Sequence, residues 1–189
     1  DPYRARLEDA DYTWGSNQVK AHSGIILANM LTYNLDAANA DGYRNAAAGF
    51  IHYMHGTNPL GMAMLTNMDT AGAEVSANEM YHGWFGHGTH FDNAETSLYG
   101  PPPGYVPGGP NPTFTPSSGY FSPPQDQPIQ KSYKDWNTSW PENSWEITEP
   151  AIYYQAAYIQ LLSAYGIRTL PLPEYSRTQS QLKDVLPLQ

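Results

Sequence analysis

Asn143-Ser-Trp-Glu-Ile-Thr-Glu-Pro-Ala-Ile-Tyr-Tyr-Gln-Ala-Ala-Tyr-Ile-Gln-Leu-Leu-Ser-Ala-Tyr165 carries a polar run with two carboxylates straight into an apolar helix. The spacing predicts that helix from about Pro150 to Tyr165, with Gly166 ending it. Ile152, Tyr153, Ala156, Ala157, Ile159, Leu161 and Leu162 surround most of its circumference, the pattern of a helix covered on several sides. Pro150 suits the first helical position, where its missing N–H would be unpaired anyway. Glu149 is then expected at the mouth of the helix, beside an irregular segment that can shape a cleft. An acidic residue in such a place ordinarily does no more than complement the helix dipole.

Working outward, two more helices are legible upstream. Ser16 or Asn17 can cap the first. From Gln18 to about Leu35 it carries Val19, Ile25, Ile26, Leu27, Met30, Leu31, Tyr33 and Leu35, a wide arc that predicts burial on more than one side. Asp41 or Gly42 opens the second, where Tyr43, Ala46, Ala47, Phe50, Ile51 and Met54 form a single stripe until Gly56 stops it. The short break between them makes an αα-hairpin. From Thr57 to Ile147 no long helix is predicted. Such a stretch is either a functional loop system or a misread element. Aromatic residues from Trp84 to Trp145 run through it and need either protein or ligand to cover them. Residues 1–189 read as a single piece, with 170–189 an extended tail.

Net charge is −9, and only nine Lys and Arg occur, in no basic run. Nucleic acid and an anionic membrane surface are therefore disfavoured as partners. No apolar run is long enough to span a bilayer, and no signal-peptide pattern begins at Asp1. The first residue is not Met, so an upstream part is expected to have been removed or to lie outside the chain. The absence of Cys excludes disulfides and cysteine catalysis. Fifteen Tyr and five Trp against five Phe favour flat rings with a polar handle. Such rings suit the apolar faces of sugars, and equally suit loops that pack on themselves.

Thr148-Glu-Pro-Ala-Ile-Tyr-Tyr-Gln-Ala-Ala157 resembles the C-terminal signature of glycoside hydrolase family 9, the cellulase family. There an Asn-Glu pair, an Ala-Ile or Ala-Val step and a Tyr/Trp-Asn-Ala run open the last barrel helix; Thr148 and Gln155 replace the two Asn here. Trp14-Gly-Ser-Asn17, Tyr53-Met-His-Gly-Thr-Asn-Pro-Leu-Gly61, Pro101-Pro-Pro-Gly-Tyr-Val-Pro-Gly-Gly-Pro-Asn-Pro112 and Ser132-Tyr-Lys-Asp135 resemble further family segments. The resemblance spans about residues 12–166. It implies an all-α fold with long irregular loops, the C-terminal part of an (α/α)6 barrel. Three helices are too few to close that barrel, so the missing N-terminal portion would come from another chain or segment. It also implies part of an inverting endo-β-1,4-glucanase acting on cellulose or a related β-glucan, extracellular and without a cofactor.

Carried over residue by residue, the resemblance makes Glu149 the general acid. A general acid must hold its proton near the working pH, so burial among rings such as Trp145 and Tyr153, or a second carboxylate nearby, is expected to outweigh the helix dipole. The family's base comes from an Asp-x-x-Asp motif that has no match here in a suitable context. The base is therefore expected outside the chain, with Asp92 or Asp135 as the fallback. The family's His-His-Arg triplet finds its nearest match in Met80-Tyr81-His82, without the Arg. Tyr81, His82 and Trp84 are thus candidate sugar contacts. Several of Trp84, Tyr105, Trp136, Trp140 and Trp145 are expected to line one groove, with Tyr153 beside it. His82, His87, His90 and Asp92 are metal-binding types, but their spacing in a Gly-rich loop matches no metal motif, so no metal is expected. Glu146 is either a partner of Glu149 or a solvated charge. A non-catalytic glucan-binding fragment using the same aromatics is the alternative function, and a partner-binding module using the Pro-rich loops is a third.

Overall fold

The computed structural model describes residues 2–82, 86–91 and 97–166; the tail expected over 170–189 lies outside the described residues. Helix α1 spans Ser16–Thr32 and α2 spans Ala40–Met54. A short helix α3, Trp145–Thr148, precedes α4, Ile152–Gly166. Strands β1, Ala63–Thr66, and β2, Ser76–Ala77, pair in parallel, Ala63 opposite Ser76 and Thr66 opposite Ala77. The structure is thus mostly helical with little strand. Neither strand was predicted. Every residue of both is buried, so the alternation that marks a half-buried strand is absent from the sequence.

The α2 stripe is where the sequence placed it. Ala47, Phe50, Ile51 and Met54 face inward, and Gly56 follows the helix at φ 107°. The turn after it is held by Asn58, whose side-chain amide donates to the Tyr53 and Met62 carbonyls at 2.8 Å each. Helix α1 packs between α2 and α4. A Cβ at Gly24 would lie 2.8 Å from both Leu161 methyl carbons and 3.2 Å from Phe50, so a side chain there would push Leu161 out of its place. Burying Leu161 completely is worth roughly 1.5–3 kcal/mol.

The wide arcs expected on α1 and α4 are covered on one side only by the described residues. Helix α4 buries Tyr154, Ala157, Tyr158 and Leu161, at helical spacing, while Ile152, Tyr153 and Ile159 are 71%, 59% and 62% exposed. On α1, Ile26 is 64% exposed, and Tyr33 just beyond its end is 68% exposed. Among the described residues no element packs on these faces.

The inward stripe of α1 also holds a cation. Lys20 is fully buried, its Nζ donating to the Ala5 carbonyl and, at 3.1 Å, to the Tyr12 hydroxyl. It sits 4.1 Å from the centre of the Tyr53 ring. The Tyr12 hydroxyl also accepts from the Leu7 N–H, so one lysine and one tyrosine strap residues 5–12 onto the hairpin. Burial pushes the Lys20 ammonium down to about 7. The unfolded chain keeps this proton to a higher pH than the folded one. Folding is therefore penalised progressively as pH falls from the ordinary lysine value toward 7, by up to ~1.4 kcal/mol per pH unit. Urea unfolding should show stability rising from about pH 7 to about pH 9. Lys20→Met should flatten that rise, since it removes the group whose proton the folded state expels across that window.

Candidate active site

Glu149 sits in the link between α3 and α4. Its N–H donates to the Trp145 carbonyl at 3.2 Å, closing α3, and its backbone is extended, φ −64° and ψ 123°. A residue before proline avoids the helical region, which accounts for that conformation. The Ala151 carbonyl accepts the first bonds of α4, from Tyr154 and Gln155. The helix therefore starts at Ile152 rather than at Pro150, and Glu149 lies outside its first turn, where the dipole acts most strongly.

The carboxylate Oε1 is 2.7 Å from Nε2 of His82. Side-chain exposures of 26% for Glu149 and 35% for His82 make this a half-buried contact, open to solvent on one side. Tyr81 packs its ring 4.5 Å from His82 and edge-on to Trp145 at 5.3 Å. The Tyr81 hydroxyl is 3.2 Å from Ser139 Oγ, a neighbour that the sequence did not single out because a lone serine in a loop carries no pattern. A half-buried carboxyl and imidazole, beside two aromatic rings and two hydroxyls, can exchange a proton and grip a polyhydroxylated ring.

The segment bearing Tyr81 and His82 is pinned by its backbone. Asn78 N–H donates to Asp135 Oδ2 at 2.7 Å, Glu79 N–H to Asp135 Oδ1 at 3.4 Å, and Tyr81 N–H to the Thr148 carbonyl at 3.4 Å. Met80 between them is fully buried. Burial raises the Asp135 carboxyl above the ordinary range, against the lowering effect of its hydrogen bonds.

Beneath Glu149, Gly108–Asn111 threads between α1 and α3. The Gly108 carbonyl accepts from Asn17 N–H at 3.0 Å, and Gly109 N–H donates to the Ile147 carbonyl at 3.0 Å. Ser16 Oγ donates to the Pro110 carbonyl at 2.7 Å, and Asn111 Nδ2 donates to the Glu146 carbonyl at 3.3 Å. Gln155 brackets Val106, accepting from its N–H at 2.8 Å and donating to its carbonyl at 2.9 Å.

The expected aromatic groove is only partly assembled. Trp84, like Asp92, lies outside the described residues. Trp136 is corrected to a core residue. It is 7% exposed, edge-on to Phe114 at 5.6 Å, with its indole N–H donating to Glu142. Its backbone is tied to α3, Thr148 Oγ1 donating to its carbonyl at 2.9 Å, and its ring is held inward by Phe114 and Glu142. Trp145 lies against Tyr81, and Trp140, 73% exposed, follows Ser139 directly. Tyr153, 59% exposed, meets Tyr154 edge-on. Tyr105 pairs its backbone with Thr66 of β1. Glu146 accepts from Thr115 N–H at 3.3 Å. Among the described residues no three His, Cys, Asp or Glu side chains gather to hold a metal; His90 packs instead on Phe91 and Tyr99.

Residues 3–162 match the model of Glycosyl hydrolase family 9. Endoglucanase C of Cellulomonas fimi is 29% identical over 101 residues, 53% of this chain and 8% of that protein. A thermostable endoglucanase from Alicyclobacillus acidocaldarius superposes with a TM-score of 0.63 at 21% identity, over 87% of this chain and 27% of that one. A metagenome-derived family 9 endoglucanase superposes at 0.55 with 23% identity, over 85% and 24%. The helices are thus part of an (α/α)6 barrel, and the chain spans about a quarter of the length of these solved relatives.

The glycine thread yields a stability test. Gly109 has φ 103°, and a Cβ there would lie 2.5 Å from the Asn17 side chain. Gly109→Ala should lower the unfolding free energy by about 1–3 kcal/mol, the typical cost of such backbone strain. Denaturant titration measures it. An unchanged midpoint would show that the thread does not constrain α1.

Proposed function

We propose, since the chain belongs to glycosyl hydrolase family 9, that it forms part of an inverting endo-β-1,4-glucanase acting on cellulose or a related β-glucan. The observation that carries this reading is the Glu149–His82 contact at 2.7 Å, bordered by Tyr81 and Trp145. Glu149 is the general acid and delivers its proton to the leaving glycosidic oxygen. His82 holds the carboxyl in one orientation and stands within proton-transfer reach. Tyr81 and Trp145 border the sugar at the cleaved bond, and the exposed rings of Trp140 and Tyr153 extend the glucan surface.

Inversion needs a second carboxylate ~6.5–9.5 Å from the acid, to take a proton from the attacking water on the opposite face of the sugar. That base comes from the portion of the barrel that this chain does not span. The same portion covers the apolar faces of α1 and α4, where Ile26, Ile152 and Ile159 stand exposed. The complete enzyme acts outside the cell. The alternative, a glucan-binding fragment without turnover, is favoured for the chain on its own by the lack of a matching base.

In the complete barrel, Glu149→Gln should keep glucan binding and lower turnover on substrates with poor leaving groups by roughly 100- to 10,000-fold. An activated aryl glycoside should suffer much less, because its leaving group needs little protonation. Equal loss on both would remove Glu149 from the acid's role. Reducing-end release from a soluble β-glucan by the 189-residue chain alone should be undetectable, with cello-oligosaccharide binding at best. Robust turnover by that chain would place the base within it.

A further inference from the structure

The segment 78–82 holds neither helix nor ladder strand, yet it must present His82 to a carboxyl on a different element. We infer that Asp135 is a positioning residue, a latch that sets the His82–Glu149 contact by gripping the backbone of Asn78 and Glu79. This rests on reading that contact as the reacting pair.

Both oxygens of Asp135 are occupied by the protein itself. Oδ2 accepts the Asn78 N–H at 2.7 Å. Oδ1 accepts the Glu79 N–H at 3.4 Å and the Tyr133 hydroxyl at 3.1 Å. Tyr133 is itself 3% exposed, so the latch is rooted in the core. A carboxylate with both oxygens engaged by fixed donors, three in all, is poorly placed to activate water, and well placed to fix a chain. Past the latch, buried Met80 leaves the segment little freedom to slide. The Tyr81 N–H then reaches the Thr148 carbonyl, one residue before Glu149. The imidazole therefore arrives at the carboxyl from a backbone held on both sides of Met80. Charge matters as well as shape, because an ionised acceptor binds N–H groups more strongly than a neutral one.

The test is NMR on the full chain, which needs no turnover. With Asp135 intact, Glu149→Gln should shift the ring 15N resonances of His82, whose partner changes from carboxyl to amide. Asp135→Leu removes all three acceptor contacts. Hydrogen exchange at Asn78 and Glu79 should then accelerate about tenfold or more, the loss expected for bonds to a charged acceptor. In that background Glu149→Gln should no longer move the His82 resonances. Asp135→Asn keeps one carbonyl oxygen and serves if the leucine variant does not fold. It should leave Asn78 protected, speed exchange at Glu79 and preserve most of the His82 response. An undiminished His82 response in Asp135→Leu, or unchanged Glu79 exchange in Asp135→Asn, would overturn the latch. Failure of glucan assays with the NMR coupling intact would count against the glucanase reading and not against Asp135.

Discussion

A loop with no side chains at its centre has to pass between α1 and α3. At Gly108 and Gly109 the backbone approaches Asn17 and the Ile147 carbonyl so closely that a Cβ has no room on either residue. In return the thread pairs groups that helix ends leave open. Asn17 N–H at the start of α1 finds the Gly108 carbonyl, and the Ile147 carbonyl near the end of α3 finds Gly109 N–H. The relative placement of α1 and α3 follows, and with it the link that carries Glu149.

The same economy governs the loops. A long irregular region would leave many buried backbone groups unpaired if it relied on itself. Here side chains of small polar residues take up the work. Asn58 closes the turn after α2, Gln155 pairs with Val106, Asn111 spans to α3, and Asp135 collects Asn78 and Glu79. Several of these residues belong to motifs that invite a catalytic interpretation. Their geometry assigns most of them to holding the loops that surround one carboxyl–imidazole contact.

The helices tell a complementary story. Their sequences are apolar over more of their surface than the described residues cover. Gly24 lets α1 sit close on α4, and Lys20 straps the N-terminal residues onto the same hairpin, yet Ile26, Ile152 and Ile159 stay exposed. A helix that is hydrophobic all round is stable when neighbours surround it. These faces fit a piece of a larger barrel better than a finished unit.

The sequence by itself determined the three long helices, the stripe of α2, the irregularity from Thr57 onward and, through the run around Glu149, the family. Helical period and glycine or proline punctuation are local properties, so they are written in neighbouring residues. It also singled out Tyr81, His82 and Glu149, but only as separate letters, since His82 and Glu149 stand 67 positions apart. Their meeting at 2.7 Å, the inward turn of Trp136 and the burial of Lys20 were decided by tertiary structure alone. So were the delayed start of α4, where Ile152 rather than Pro150 leads the helix, and the two short strands among the described residues. Each depends on which distant backbone group needs a partner and which face another element covers. No local pattern encodes those pairings, because they are satisfied only when segments far apart in the chain come together.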